Sequence, residues 1–252
     1  MNLAERLKIV LEDFSRSSSD RKTDDVDLQA LSAWDISLSF TLNSAERIRI
    51  RNVASGDLAL LRSFGDALGA ASKDLFCPYP WDDPPALEEA FHSAIRESLD
   101  RKTASYVMTS DGSPVGHFFL WAAGGNAHSR NHGLELPELG VAVADAFQGR
   151  GFGFLAVRVL QEAARSLRAD GIELTTAMEN ESGWNTYRRA GFEYTGILRI
   201  PLGVDVTAAT AGLVNARRFR AERQMAYVID AGKKEAILHY LESKRIESEN
   251  KE

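Results

Sequence analysis

The chain has 252 residues, a formal charge of −6, 44% apolar and 26% charged residues, and a single cysteine. That length suits one domain with extensions or two small domains, and it buries a core without metals. One cysteine excludes an internal disulfide, and the negative balance argues against a nucleic-acid binder, which is ordinarily basic.

Read in order, residues 3–14 place Leu3, Leu7, Val10, Leu11 and Phe14 on one side of an amphipathic helix. Arg16 to Asp25 is polar and predicts a mobile linker. The alternation of Ile36, Leu38, Phe40 and Leu42 predicts a half-buried strand. A turn at Asn43 to Glu46 leads into a second strand carrying Ile48 and Ile50, with Arg47, Arg49 and Arg51 on a solvated face. Asp57 is placed to cap a helix through Leu58, Leu61 and Phe64. Pro78, Pro80, Pro84 and Pro85 break regular structure, Cys77 beside them reads as a small apolar residue, and a helix follows over about 86–99.

Strands over 104–109 and 114–122 meet at Asp111-Gly112-Ser113, residues 123–133 form a loop, and 134–143 form another strand. Gln148 to Gly153 then opens a helix with the apolar stripe Leu155, Val159, Leu160, Ala163 and Leu167. A strand over 172–176, a helix over 185–189 and a strand over 192–202 follow. Next come an Ala- and Arg-rich insertion at 205–222, a strand over 224–229 and a helix from about 233 to 246. Arg217, Arg218, Arg220 and Arg223 read as a solvated face. Successive strands imply antiparallel pairing, and the later strand-helix-strand step implies a parallel pair. The expected fold is α/β, a mixed sheet with helices on both faces.

Gly149, Gly151 and Gly153 lie between a strand and a helix. Free N–H groups at a helix start attract anions, and glycine lets a phosphate approach the main chain. A dinucleotide fold needs a glycine at 154, where Phe154 stands, and a nucleoside-triphosphate loop needs Lys then Ser or Thr, where Phe154-Leu155 follow. On the residues alone, a phosphate cradle and a flexible turn without ligand remain equal readings.

Gln148-Gly149-Arg150-Gly151-Phe152-Gly153 resembles the Gln/Arg-x-x-Gly-x-Gly/Ala signature of the GNAT (GCN5-related N-acetyltransferase) superfamily. Glu138 to Val143 resembles its fourth core strand, and Asn180, Tyr187, Gly191 and Phe192 fit its Asn-x6-Tyr-x3-Gly-Phe pattern. Ile50-Arg51 and Asp57-Leu58 resemble its first strand and helix start. The resemblance implies a catalytic domain over 44–230, mostly antiparallel, with a 1–43 extension and a 231–252 helix and tail. It also implies acetyl-CoA as cosubstrate. Backbone groups of Val141, Ala142 and Val143 would hold the pantetheine, and an N–H near Val143 would polarise the thioester carbonyl. Gln148, Gly149, Arg150, Gly151, Phe152 and Gly153 would hold the pyrophosphate.

Under the same resemblance Asn180 contacts the cofactor arm, caps the next helix, or does both. Tyr187 is the acid that protonates the leaving thiolate; otherwise it is a buried aromatic with a hydrogen-bonded hydroxyl. Glu138 is the candidate base, read equally as an exposed strand-end carboxylate, with Glu135 and His117 as weaker candidates. Thr175 stands where ribosomal-type members carry a glutamate, which points away from a ribosomal-protein acceptor. The implied reaction is direct acetyl transfer to a primary amine, on a small molecule or peptide, with Cys77 not a nucleophile. A non-catalytic acyl-CoA-binding sensor or scaffold is the alternative. No metal, nucleic acid or membrane partner is expected, the expected location is the cytoplasm, and the oligomeric state stays open. The extensions would pack on the core, join two subunits or cover the acceptor cleft.

Overall fold

The computed structural model describes residues 1–19, 21–76, 78–123, 127–201 and 219–249. Cys77, Arg217, Arg218 and most of the expected insertion lie outside the described residues. The elements run α1 (Leu3–Arg16), β1 (Thr23–Ser32), β2 (Asp35–Leu42), β3 (Glu46–Asn52), α2 (Leu58–Asp66), α3 (Ala70–Leu75) and α4 (Pro84–Leu99). They continue with β4 (Ala104–Ser110), β5 (Ser113–Trp121), α5 (Ala127–Asn131), β6 (Glu138–Val143), α6 (Phe152–Ser166) and β7 (Gly171–Ala177). Last come α7 (Glu181–Arg189), β8 (Glu193–Pro201), β9 (Phe219–Val228) and α8 (Lys234–Glu249).

Among the described residues the strands form one sheet in the order β1-β2-β3-β4-β5-β6-β7-β9-β8. Every adjacent pair is antiparallel except β6 with β7. Helices cover both faces. α1 and α6 sit over a core that includes Leu7, Phe14, Phe40, Phe118, Phe152 and Leu160. α2 and α4 enclose Leu61, Phe64, Phe91 and Val107, while α8 buries Ile237, Tyr240 and Leu241 against Leu134, Leu136 and Ala226. No helix among the described residues is long and apolar enough to cross a membrane.

α1 forms where its spacing predicts. A reciprocal cap between Asn2 and Glu5 starts it, and Leu3, Leu7, Val10, Leu11 and Phe14 are all buried. Arg6 fixes it to α6 through Glu162 at 2.7 Å. The expected linker is shorter, because Thr23 already enters β1, an edge strand paired only with β2. Its positions alternate between exposed and partly buried from Asp27 to Ser32, with Leu28 and Ala30 against the core, but none is fully buried.

Asp57 does not cap α2 with its side chain. Its carboxylate accepts from Arg51 at 2.6 and 2.7 Å and from the Ala54 N–H at 2.7 Å, which draws Arg51 off the solvated face while Arg47 and Arg49 stay exposed. α5 occurs within the expected 123–133 loop, and β6 begins only at Glu138, because Leu134 and Leu136 turn into the core under α8. α7 begins at Glu181, a turn before the expected start, since Asn180 caps it by accepting from the Gly183 N–H at 2.9 Å. β9 starts at Phe219 rather than 224. Consequently Arg220 and Arg223 are strand residues with side chains only 14% exposed, paired with Glu222 at 2.6 Å and Glu181 at 2.7 Å, and not a solvated face.

Candidate active site

The site begins where β6 and β7 part. Their Cα pairing is the single register point Glu138↔Glu173, whereas β6 pairs with β5 along its whole length. The Glu173 N–H donates to the Pro137 carbonyl at 3.0 Å, so odd-numbered residues of this stretch turn their peptide groups toward β7. Strand alternation gives Val141 and Val143 the same direction, while Ala142, paired with His117, turns its groups toward β5. Past Glu138 the two parallel strands diverge into a wedge, and the peptide groups of Val141 and Val143 face its gap.

The wedge opens toward the glycine loop. Gly149 and Gly151 have φ of +73° and +85°, a region that L side chains enter at a cost. Gly151 is the N-cap of α6 and has no side chain to satisfy that end. The N–H groups of Phe152, Gly153 and Phe154 therefore have no acceptor within the helix, and the helix dipole adds positive potential there. The Phe152 ring is fully buried, so only its backbone faces the loop. A Cβ on Gly153 would lie 3.9 Å from Val143, so the loop packs close to the end of β6. The Gln148 amide reinforces this by reaching the Val143 carbonyl at 3.0 Å and Ser72 Oγ at 3.0 Å. Arg150 pairs with Glu46 and lies over Phe147 and Phe152, 5.4 and 5.2 Å from the ring centroids.

Tyr187 on α7 is buried and meets Phe192 edge-on at 5.9 Å. Among the described residues no hydrogen bond engages its hydroxyl, which is not one of the buried polar atoms left without a partner. Burial pushes its pKa up to about 12, and Glu222 adds to the rise, so the phenol keeps its proton. Asn180, besides capping α7, donates to Thr176 Oγ1 at 3.0 Å.

At the vertex of the wedge Glu138 is half-buried beside two further carboxylates. Burial raises its pKa to about 7; Lys244 of α8 opposes the rise, and Glu173 and Glu222 reinforce it. Lys244 Nζ donates to Glu173 at 2.7 Å and the Tyr240 hydroxyl donates to the same carboxylate at 3.1 Å. Glu222 is held by Arg220. The weaker base candidates lie elsewhere. Glu135 is exposed, 3.6 Å from Arg130. His117 is enclosed between Tyr79 at 3.2 Å and Ser105 at 2.9 Å, and burial pushes its pKa down to about 4.

Sequence reasoning missed Glu173, Glu222, Lys244 and Arg21. Glu173 left a readable signal, a carboxylate between Ile172 and Leu174 inside a predicted strand, whereas Glu222 sits among Arg220, Arg223 and Gln224 at the end of the expected insertion and left none. Arg21 left none, since it stands in a polar stretch and reaches Gly151 only through the tertiary fold.

The family model described as Acetyltransferase (GNAT) family matches residues 69–192, which contain the wedge strand, the glycine loop, Asn180 and Tyr187. The chain carries a GNAT-family acetyltransferase domain. No curated protein matches the sequence. Among solved structures, a GNAT-family acetyltransferase from Streptococcus pneumoniae is 17% identical, with a TM-score of 0.54 over 72% of this chain and 99% of that one. A ribosomal-protein-S5-alanine acetyltransferase from Vibrio fischeri is 12% identical, with a TM-score of 0.56 over 77% and 97%. RimJ from Mycobacterium smegmatis, in complex with CoA-disulfide, is 15% identical, with a TM-score of 0.52 over 88% and 93%. At these identities the likeness is one of fold.

Proposed function

We propose that the enzyme moves an acetyl group from acetyl-CoA to a primary amine, on a small molecule or a peptide, by direct attack. The observation that carries this reading is the gap between β6 and β7, which runs from Glu138 to the glycine loop with the Val141 and Val143 peptide groups along one side. An extended pantetheine arm fits such an edge as an added strand would, and the pyrophosphate would meet Gln148 to Gly153 at the start of α6. Ala142 would support that edge through β5 instead of facing the arm, and Asn180 would meet the arm from the start of α7. The catalytic unit would span 44–230.

In the reaction Glu138 takes a proton from the acceptor ammonium, and the free amine attacks the thioester carbonyl. The Val143 N–H stabilises the oxyanion. The tetrahedral adduct collapses, the C–S bond breaks, the thiolate takes the Tyr187 proton, and the second proton shed by the new amide nitrogen passes through solvent back to the tyrosinate. No covalent enzyme intermediate forms.

The test is turnover of an amine panel, followed by thiol release. Tyr187→Phe removes one hydroxyl, so kcat should fall about 10²-fold or more with CoA affinity unchanged. Full activity in that variant overturns the acid assignment. Glu138→Gln should be most defective between pH 7, where the carboxylate forms, and the pKa of the acceptor ammonium, above which free amine needs no base. A defect that does not vary with pH removes Glu138 as the base. Tight acetyl-CoA binding with no turnover across the panel would instead establish a sensor or scaffold.

A further inference from the structure

The segment before β1 folds onto the glycine loop. A Cβ on Gly151 would lie 2.6 to 2.7 Å from three atoms of the Arg21 guanidinium, so that side chain covers the N-cap of α6. Arg21 is held there from α1. Its Nη1 donates to Ser17 Oγ at 2.6 Å, and its guanidinium lies 4.9 Å from the centroid of Phe14, which stacks in turn on Phe152 at 6.0 Å. Among the described residues no carboxylate pairs with Arg21, and the charges that reach it are those of Arg189 and Arg150. Burial and these two like charges, in that order, lower its pKa. Arg150 is neutralised by Glu46, whereas among the described residues Arg189 pairs with no carboxylate and lies over the face of Phe154 at 4.2 Å.

Next to Arg21 lies an open cavity of about 410 Å³ lined by Asp13, Arg16, Ser17, Phe154, Arg158 and Arg189. Its one carboxylate, Asp13, is shared by Arg158 at 3.7 Å and Arg16 at 3.9 Å. Arg16 is also held by Glu12 at 2.6 Å, so Arg158 and Arg189 against Asp13 leave the cavity with a modest positive excess. Packing cations together without anions costs free energy, and a bound anion would recover it.

We infer that the N-terminal extension completes the cofactor site: Arg21 clamps the pyrophosphate of CoA against the α6 N-terminus, and the adjoining cavity takes the phosphorylated nucleoside end. This rests on the acetyl-CoA reading above. It assigns to residues 1–22, which precede the matched family region, a direct part in binding. A guanidinium offers five N–H donors in a planar fork, and Ser17 uses one edge, leaving the others for phosphate oxygens.

The test compares wild type, Arg21→Ala and Arg21→Lys by calorimetry with CoA and with pantetheine, which lacks the nucleotide, alongside thermal melts without ligand. Losing a charge-assisted contact should weaken CoA about 10- to 100-fold in Arg21→Ala, with pantetheine binding unchanged and partial recovery in Arg21→Lys. The ligand-free melting temperature should hold or rise, because the removed cation faces others. Equal CoA affinity in wild type and Arg21→Ala overturns the inference. So does an equal loss for pantetheine, or a lower ligand-free melting temperature that accounts for the loss, since either makes Arg21 a packing residue. If wild type itself binds no CoA, the acetyl-CoA reading fails instead.

Discussion

Gly151 has two reasons to be glycine: a φ of +85° and a guanidinium where a Cβ would stand. Alanine there would cost about 1 kcal/mol in backbone strain and would also push Arg21 off the loop. Gly151→Ala should therefore lower the melting temperature by about 2–4 °C for a chain of this size while weakening CoA much more. Calorimetry and a melt on the same sample check this, and unchanged CoA affinity would detach the loop from the cofactor. Glu138 carries a second prediction. Its folded pKa of about 7 lies above its ordinary value, so the folded protein binds that proton more tightly than the unfolded chain does. The associated stability is full below the ordinary carboxylate range and is lost as pH rises through 7. Glu138→Gln has no charge to strand, so its melting temperature relative to wild type should increase between pH 5 and pH 8. A difference constant with pH would contradict the raised carboxyl.

Among elements, α1 was legible because its five apolar residues recur at helical spacing, and all five are buried. The β2–β3 hairpin was legible from period-two alternation. β1 was not, because its alternation of Leu28 and Ala30 with exposed residues is short and, at a sheet edge with one neighbour, leaves no position fully buried. Asp57 misled for a different reason: a carboxylate before a helix suggests a cap, but Arg51, next to Ile50 at the end of β3, competes for it and wins with two short bonds. The motif residues Gln148 to Gly153, Asn180 and Tyr187 were legible as a pattern, while the arginine that reaches them from the N-terminal extension was not. α1 has structural weight of its own. Phe14 is fully buried against Phe40, Phe152 and the Arg21 guanidinium. Phe14→Ala should cost about 3–5 kcal/mol by cavity formation and should loosen Arg21 as well. Chemical denaturation checks the first part, and a cost below about 1 kcal/mol would show α1 to be dispensable to the core.

At the scale of the whole molecule, the wedge was implied only by the family resemblance and not by periodicity, because divergence of two strands is a property of pairing and not of either strand alone. Its vertex draws on β6, β7, β9 and the C-terminal helix together. Lys244 arrives from α8, bonds Glu173 at 2.7 Å, and lowers the pKa of Glu138 against the effect of burial. Burial works to depress Lys244 itself, but Glu173 and Glu138 raise its pKa overall, so it remains a cation through the working range. The helix farthest along the chain thus tempers the effect of burial on the proposed base. Lys244→Met keeps the apolar stem and removes the charge. With its nearest cation gone, Glu138 should hold its proton to higher pH, and the ascending limb of kcat/KM, expected near pH 7 in wild type, should move up by about one unit. Lys244→Arg, which keeps the charge, should leave the limb where it was. Glu173→Gln in the Lys244→Met background should bring it back toward wild type, because the carboxylate that Lys244 neutralised would be gone too. The pH profiles of the four proteins, measured at the same acceptor concentration with melts to confirm folding, decide the matter. A limb that stays at the wild-type position in folded Lys244→Met would mean that the titrating base is not Glu138.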